Sequence, residues 1–192
     1  MLRRLYDRVL DIAAGPHATA ALICVAFAES SFFPLPPDVL LIPMILARPR
    51  DAWRLAAICT LASVAGGLLG YAIGYFLFDA IGRPLLEFYH AMDRYDTLKA
   101  GFDQWGVWII VIKGLTPIPY KLITIASGVV RFNLVAFILA SVVSRSLRFL
   151  LVAAVLWRFG PAARGFIERR LMAVTTAFAV ALVGGFLVLR YL

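Results

Sequence analysis

Long apolar runs account for most of the chain; some are continuous, and others are broken by prolines and single charges. Residues 55–78 and 171–189 contain no charged side chain, and 132–157 contains two arginines within an otherwise apolar run. About 20 apolar residues in a helix cross the hydrocarbon core of a bilayer. These three runs therefore predict transmembrane helices, over 54–79, 132–157 and 171–190.

Two further apolar runs, 17–47 and 105–130, are broken near their centres by prolines and charges. The breaks contain Pro34, Pro36, Pro37, Pro117 and Pro119. Proline lacks a backbone donor and clashes with the preceding helical turn, and the arms beside each break are too short to span a bilayer alone. Each run therefore predicts a re-entrant hairpin, whose break must be buried in protein or line a wet cavity.

The two broken runs resemble each other. Aligning Pro34 with Pro117 also brings Asp38 onto Lys121, and each run is followed by a basic turn and a long apolar helix. This order predicts an internal repeat. The predicted fold class is an all-α integral membrane protein, an inverted repeat of two re-entrant helical hairpins, each followed by a transmembrane helix, with a further transmembrane helix at the C-terminus.

The N-terminal segment has a different pattern. In residues 1–14 apolar side chains recur at helical spacing between charged ones, which predicts an amphipathic helix lying in the membrane interface. The predicted organisation is therefore an interfacial helix over 1–14, a membrane domain over 15–157 and a C-terminal helix over 171–190.

The composition excludes a soluble protein. The chain is 62% hydrophobic and 16% charged, with a mean hydropathy of +0.89, whereas a soluble domain is about 45–50% apolar and about 25% charged. A chain of 192 residues has too little interior to hide this excess, so lipid must cover it. The net charge of +8 comes largely from arginines scattered between apolar runs, which does not suit a nucleic-acid surface.

The distribution of these arginines predicts the topology. The N-terminal segment, 48–54 and 158–170 are basic, whereas 79–104, interpreted as a loop with a surface helix, contains five acidic residues. Because cytoplasmic loops are enriched in Lys and Arg, the first three segments are expected in the cytoplasm and 79–104 outside. The hairpin over 17–47 then enters from the cytoplasm and that over 105–130 from outside, as in inverted-repeat transporters.

Six ionisable residues lie within the apolar runs. They are Glu29, Asp38, Lys113, Lys121, Arg145 and Arg148. Each costs about 2.5–3.5 kcal/mol at the centre of a membrane helix, so these residues must face the protein interior. Four bases exceed two acids, and the surplus suits the phosphate of a lipid headgroup, which the arginine fork binds well.

Roles follow from this excess. Lys113, Lys121, Arg145 and Arg148 are the candidate headgroup ligands. Glu29 and Asp38 are candidates for gating or proton coupling, because a phosphate that takes their basic partners would free them to bind protons. Alternatively, acids and bases form static pairs that only hold the two repeats together, as in a membrane scaffold, or the acids serve a transporter of small ions or solutes.

Glycines on the first long helix predict close helix packing. Gly66, Gly70 and Gly74 recur every four residues, a spacing that allows membrane helices to approach closely, and we expect them to seat a hairpin. The two histidines, His17 and His90, have no partners at metal or nucleophile spacings. The sequence therefore predicts neither an enzyme nor a bound metal or cofactor.

Several of these features occur in one order between residues 17 and 157. They are Glu29, the proline-rich turn closing on Asp38, the pattern Gly66-x3-Gly70-Tyr71-x2-Gly74, the basic segment around Pro117, and Ser127-Gly128 before Asn133. In this order the chain resembles the DedA family, the bacterial branch of the VTT or SNARE-associated Golgi protein superfamily. The resemblance implies two opposed re-entrant hairpins and lipid translocation.

The resemblance also implies a substrate class. Bacterial members are linked to undecaprenyl phosphate recycling and proton-dependent membrane fitness, and eukaryotic relatives to phospholipid scrambling. The family typically carries an Arg-x2-Pro-x2-Arg arrangement in the second hairpin, whereas this chain has Lys113 and Lys121, with Arg145 and Arg148 on the next helix. That departure is closer to a YqaA-like branch and bears on the substrate more than on the fold.

The sequence therefore predicts a multi-pass protein of the bacterial inner membrane. Its expected function is flippase-like or scramblase-like movement of a phosphate-headed lipid, such as undecaprenyl phosphate or a phospholipid, with protons as a further ligand. The membrane scaffold and the small-ion or solute transporter remain the alternatives.

Overall fold

The computed structural model of the protein is helical in nearly all of the residues it describes, which are 15, 17–33, 35–88, 92–115 and 119–169. The side chains at 94, 113, 115 and 161–169 lie outside this description. The helices are α1 (Ala18–Ser31), α2 (Asp38–Ala47), α3 (Ala52–Leu77), α4 (Arg83–Phe88), α5 (Met92–Leu115), α6 (Tyr120–Val129) and α7 (Leu134–Arg169). A 3-10 turn, Pro49–Asp51, precedes α3, and a π-helical segment, Phe78–Gly82, follows it.

Two helical stretches in the described residues are long and apolar enough to cross a membrane. They are Pro49–Phe88, which includes α3, and Leu134–Gly160 within α7. These correspond to the predicted helices over 54–79 and 132–157. The predicted interfacial helix over 1–14 and the C-terminal helix over 171–190 lie outside the described residues.

The polar segment 79–104 differs from its interpretation as a loop with a surface helix. The helix continues from α3 through the π-helical segment into α4, and α5 already begins at Met92. Proline is tolerated in the first turn of a helix, and Pro84 is the second residue of α4. The π-helical segment, in which the backbone hydrogen bonds are spaced differently, lies directly before α4. Pro84 and the polar composition therefore did not end the helix.

Helices α3 and α7 form the centre of the fold and pack against each other. The short helices are shared between them: α1 and α6 pack mainly on α3, whereas α2 and α5 pack on α7. The apolar sequences that predicted membrane segments thus bury one face against these two helices. Exposed Leu, Val and Phe side chains remain on the outer faces, including Leu61, Phe76, Val135 and Leu139.

The pair α1 and α2 lies along one half of the molecule. Ala18 of α1 shares a buried cluster with Ala52 at the start of α3, and Ser31 at the end of α1 donates a hydrogen bond to the Gly66 carbonyl at 2.8 Å. Helix α2 begins with Asp38 beside Arg148 of α7, and Leu46 in its last turn lies near Gly160. The break between α1 and α2 therefore lies beside the middle of α3 and α7.

The pair α5 and α6 lies along the other half. Gly106 of α5 packs against Phe132, just before α7 begins, and Gly114 packs against Ser144 in its middle. Helix α6 begins with Tyr120 bonded to Ser141 and leads to Arg131, which pairs with Asp79 just beyond α3. The helix ends that flank the two breaks therefore lie beside the same part of α7, and the two pairs reach it from opposite ends.

Candidate functional site

Two arginines one helical turn apart on α7 lie beside the breaks between the short helices. A spacing of three residues places Arg145 and Arg148 on one side of the helix. Arg145 pairs with Glu29 of α1, with 3.2 Å between Nη2 and Oε2. Arg148 pairs with Asp38 of α2, with 2.6 Å between Nη2 and Oδ2. The structure thus brings together four of the six predicted charged residues as two ion pairs.

The guanidinium group of Arg145 is enclosed on every side that the structure describes. Its side chain is 1% exposed, and Nε donates a hydrogen bond to Ser63 Oγ of α3 at 2.7 Å. The rings of Tyr120 and Phe149 pack against it, with centroids 4.6 and 4.7 Å from the guanidinium carbon. Such cation–π contacts are strongest when the cation is removed from water.

Small polar side chains extend the site around Glu29. Ser30 Oγ lies 3.2 Å from Glu29 Oε2 and 2.6 Å from Ser63 Oγ, so the carboxylate and the guanidinium share one serine pair. The Tyr120 hydroxyl donates a hydrogen bond to Ser141 Oγ, with 2.5 Å between the two oxygen atoms. The Glu29–Arg145 pair is therefore tied to α1, α3, α6 and α7 together.

The Asp38–Arg148 pair is more open. The difference lies in the arginines, since the side chain of Arg148 is 27% exposed and that of Arg145 is 1% exposed, whereas the acids are alike, at 15% for Asp38 and 14% for Glu29. Within the described part of the chain, Asp38 Oδ1 is buried without a hydrogen-bond partner, as is Nη1 of Arg145. A buried polar atom without a partner is costly, so these two atoms are the places where water or a ligand would be accommodated.

Side chains of α6 close the end of α1. Thr124 Oγ1 donates to the Ser30 carbonyl at 3.0 Å, and Lys121 Nζ donates to the Phe32 carbonyl at 3.4 Å. The last carbonyls of a helix have no partner within it. Lys121, a predicted headgroup ligand, therefore helps to satisfy the C-terminal end of α1 in this conformation.

The glycines of α3 lie where both short-helix pairs approach most closely. A Cβ atom at Gly66 would overlap the backbone carbonyl of Phe27 in α1, and one at Gly74 would overlap that of Ile125 in α6. Gly70 faces both pairs, because it packs against Thr124 and the Ser30 carbonyl. The glycine spacing thus serves contacts with two helices rather than with one.

The remaining predicted residues fall in several places. Pro36 and Pro37 precede α2, and Pro119 precedes α6. Pro34 and Pro117 lie outside the described residues, and Lys113 lies in α5 with its side chain outside the description. Among the described residues, no cluster of three His, Cys, Asp or Glu side chains could hold a metal ion.

Sequence reasoning did not identify several residues of the site. Ser63, Tyr120 and Phe149 complete the surroundings of Arg145, and Ser30 and Thr124 link α1 to its neighbours. Small hydroxyl residues inside apolar helices were the available signal, because such side chains form hydrogen bonds between membrane helices. Nothing in the spacing of the aromatic residues singled out those that contact Arg145.

A family model and two uncharacterized relatives match this chain. The model of the VTT domain matches residues 35–158, a range that contains Asp38, Arg145 and Arg148. An uncharacterized protein of Haemophilus influenzae is 38% identical over 149 residues, which cover 78% of this chain and 77% of that protein. An uncharacterized protein of Histophilus somni is 36% identical over 148 residues, which cover 77% of each chain. No solved structure matches.

Proposed function

The chain belongs to the VTT domain family, the domain of the DedA proteins, and on that premise we propose that it moves a phosphate-headed lipid across a bacterial inner membrane. A polyprenyl phosphate is the preferred substrate and a phospholipid the second. The role is transport rather than catalysis. The observation that carries the proposal is the partly open Asp38–Arg148 pair, whose acid is the first residue after the break between α1 and α2.

In this proposal the two pairs of short helices are opposed re-entrant hairpins related by an inverted repeat. Their packing supports this, because the first arm of each, α1 or α5, lies on the long helix that follows it. The second arm, α2 or α6, lies on the long helix of the other half. Broken helices that meet near the midplane form the binding sites of many transporters.

The orientation follows the positive-inside rule, with the start of α3 and residue 158 in the cytoplasm. Aromatic side chains support a membrane boundary at this end. The exposed Trp53 and Trp157 rings lie 6.3 Å apart, beside Arg54 and Arg158. Tryptophan is enriched at the headgroup level, and cytoplasmic flanks are enriched in arginine.

Arg148 is the residue that would receive the phosphate. Part of its guanidinium side chain is exposed, and its contact with Asp38 occupies Nη2. A guanidinium binds a phosphate through two parallel hydrogen bonds, and the acyl or prenyl tail would remain in the bilayer. Lys121 near the start of α6 and Lys113 on α5 are the further bases that would add positive charge to the headgroup site.

Reconstitution tests the proposal. The protein in liposomes should move a fluorescent polyprenyl phosphate between leaflets, and Arg148→Ala should reduce the rate at least about tenfold, because a charge-assisted hydrogen bond is worth about 1.5–3 kcal/mol. Asp79→Asn, in an exposed pair at the end of α3, is the matched control and should retain the wild-type rate. Absence of transfer by the wild-type protein, or full transfer by Arg148→Ala, would contradict the proposal.

Proton coupling is a separate part of the proposal. If the phosphate displaces Asp38 from Arg148, the freed carboxylate can take a proton and carry it with the cycle. Transfer should then slow when the pH gradient across the liposome is collapsed, and Asp38→Asn should remove that dependence. Transfer that is indifferent to the gradient in the wild-type protein would show downhill movement instead.

A specific observation favours a second candidate, the membrane scaffold. Glu29 and Asp38, the acids at apparent membrane depth, both have an arginine partner on α7. The four charges would therefore also suit permanent ion pairs that only hold the helices together. A scaffold predicts no lipid transfer in liposomes. The third candidate, a small-ion or solute transporter, predicts ion or solute flux without lipid transfer.

A further inference from the structure

We infer that the two buried ion pairs have different functions: Asp38 is an internal competitor that occupies Arg148 until a lipid phosphate displaces it, whereas Glu29–Arg145 stays formed as a permanent strut. The inference rests on the proposed lipid transport and specifies which charges exchange partners. The two pairs are alike in residue type and in apparent membrane depth, but the inference assigns them different roles.

The first reason is access to the guanidinium. Two aromatic rings pack against Arg145, whose side chain is 1% exposed, and Ser63 and Glu29 occupy Nε and Nη2. A phosphate could reach it only after several helices separate. Arg148 is more exposed, and its hydrogen bond in the described structure is the one to Asp38. A phosphate that takes Nη2 of Arg148 therefore displaces that single contact.

The second reason is the position of each acid on its helix. Glu29 lies in the last turn of α1, and Asp38 is the first residue of α2. The C-terminus of a helix carries partial negative charge, and the N-terminus carries partial positive charge. The end of α1 therefore offers Glu29 no favourable charge, and its cationic partner is Arg145, whereas the N-terminus of α2 places partial positive charge beside Asp38 when Arg148 is taken.

The third reason is the unused bonding capacity at Asp38. Its Oδ1 atom is buried and has no hydrogen-bond partner among the described residues. The Glu29–Arg145 pair also leaves one buried atom, Arg145 Nη1, without a partner among the residues that the structure describes, but it is held by two further hydrogen bonds, from Ser30 to Glu29 Oε2 and from Arg145 Nε to Ser63. A pair with more hydrogen bonds is held more strongly. Exchange is therefore easier at Asp38.

Binding measurements distinguish the two pairs. Farnesyl monophosphate, a short polyprenyl phosphate, is titrated calorimetrically into the full-length protein in detergent micelles, with farnesol and inorganic phosphate as separate arms. Asp38→Asn should tighten farnesyl phosphate binding by about tenfold, because the probe no longer displaces a charge-assisted hydrogen bond. Glu29→Gln, the matched control, should change the affinity by less than about twofold and lower the thermal stability instead.

Conservative variants keep the test decisive if a neutral variant fails to fold. Arg148→Lys retains the charge but lacks the planar fork, and should weaken farnesyl phosphate binding with little loss of thermal stability. Arg145→Lys should show the reverse pattern. Equal effects of Asp38→Asn and Glu29→Gln on affinity, or a larger effect of Arg145→Lys than of Arg148→Lys, would overturn the inference.

The remaining arms separate this inference from the proposed function. Binding of inorganic phosphate as strong as that of the farnesyl compound would identify a site for free phosphate, and would contradict a lipid headgroup as the competitor. Wild-type protein that neither binds farnesyl phosphate nor transfers polyprenyl phosphate would contradict the proposed function itself. Wild-type transfer together with unchanged affinity in Asp38→Asn would contradict the competition alone.

Discussion

Two ion pairs of the same kind, an arginine with a carboxylate, have very different surroundings. They are Glu29–Arg145, here called the inner pair, and Arg131–Asp79 beyond the end of α3, here called the outer pair. Glu29–Arg145 is buried among four helices and reinforced by Ser63, Tyr120 and Phe149. Arg131–Asp79 is about half exposed, with Arg83 and the Tyr75 ring as neighbours. The difference shows that surroundings, rather than the two charges themselves, decide what an ion pair contributes.

The physical basis is desolvation. Removing an arginine and a carboxylate from water costs several kcal/mol per ion, and their attraction offsets that cost only with good geometry and further hydrogen bonds. The inner pair meets these conditions with its serines and aromatic rings. The outer pair keeps its hydration and adds little. We therefore expect changes at the inner pair to affect stability, and changes at the outer pair to be tolerated.

The largest effect is expected from Arg145→Ala. It leaves the Glu29 carboxylate buried without its partner, and breaking a buried pair in this way costs about 3–5 kcal/mol. The free energy of unfolding in detergent micelles measures the loss. A double variant that also carries Glu29→Gln should recover part of it. A wild-type free energy of unfolding for Arg145→Ala would show that the inner pair is no more valuable than the outer one.

The glycine contacts provide the next test of buried against exposed positions. Gly66→Ala adds a Cβ atom that would overlap the Phe27 carbonyl, so α1 must move away from α3, and overpacking of this kind costs about 1–3 kcal/mol. Gly101 of α5 is the matched control, because a Cβ atom there meets nothing within 4 Å. Gly101→Ala should stabilise its helix slightly, since alanine is the better helix former.

Both glycine variants can be compared by thermal unfolding in the same detergent. Cross-linking between cysteines placed on α1 and α3 would show whether the helices separate in Gly66→Ala. Equal melting temperatures for the two variants would mean that the close approach of α1 to α3 adds nothing to stability.

Tyr120→Phe sharpens the account of the inner pair. The change removes the hydrogen bond with Ser141 but keeps a ring over the Arg145 guanidinium. The expected loss is that of one hydrogen bond, about 0.5–1.5 kcal/mol, and lipid transfer should persist. Tyr120→Leu removes the ring as well and should cost more. Equal losses in the two variants would assign the stabilisation to the hydroxyl group and none to the ring.

The smallest effect is expected from Asp79→Asn. Exposed ion pairs contribute about 0–1 kcal/mol, and both side chains of the Arg131–Asp79 pair are about half exposed. High salt should reduce the difference between this variant and the wild-type protein, because ions screen exposed charges. A loss as large as that of Arg145→Ala would remove the contrast between the two pairs.

Much of the fold could be predicted from the sequence, because lipid imposes strict conditions on composition. Apolar runs of sufficient length predicted the two long apolar helices that are described, and the family was correctly identified from the order of Glu29, Asp38, the glycine pattern and Pro117. Within 79–104, the surface helix was predicted correctly, but the loop interpretation was wrong for residues 79–88. Polar residues and Pro84 are typical of loops, whereas here they lie in a π-helical segment and in the first turn of α4.

The candidate site could be predicted only in part. The high cost of a charge in lipid singled out Glu29, Asp38, Arg145 and Arg148, but not which acid meets which base. The aromatic partners of Arg145 also escaped prediction, since Tyr120 and Phe149 lie 25 and 4 positions from it in the chain and carry no distinctive spacing.

The sequence by itself determined that this protein belongs in a membrane, which helices are long enough to cross it and which ionisable residues cannot face lipid. These properties depend on local composition and on the solvation of single groups, so the order of residues is sufficient. Only the tertiary structure decided that Glu29 meets Arg145 and Asp38 meets Arg148, and that one pair is enclosed while the other is partly open. Pairing and burial depend on how distant helices pack, and the packing brings together residues more than a hundred positions apart.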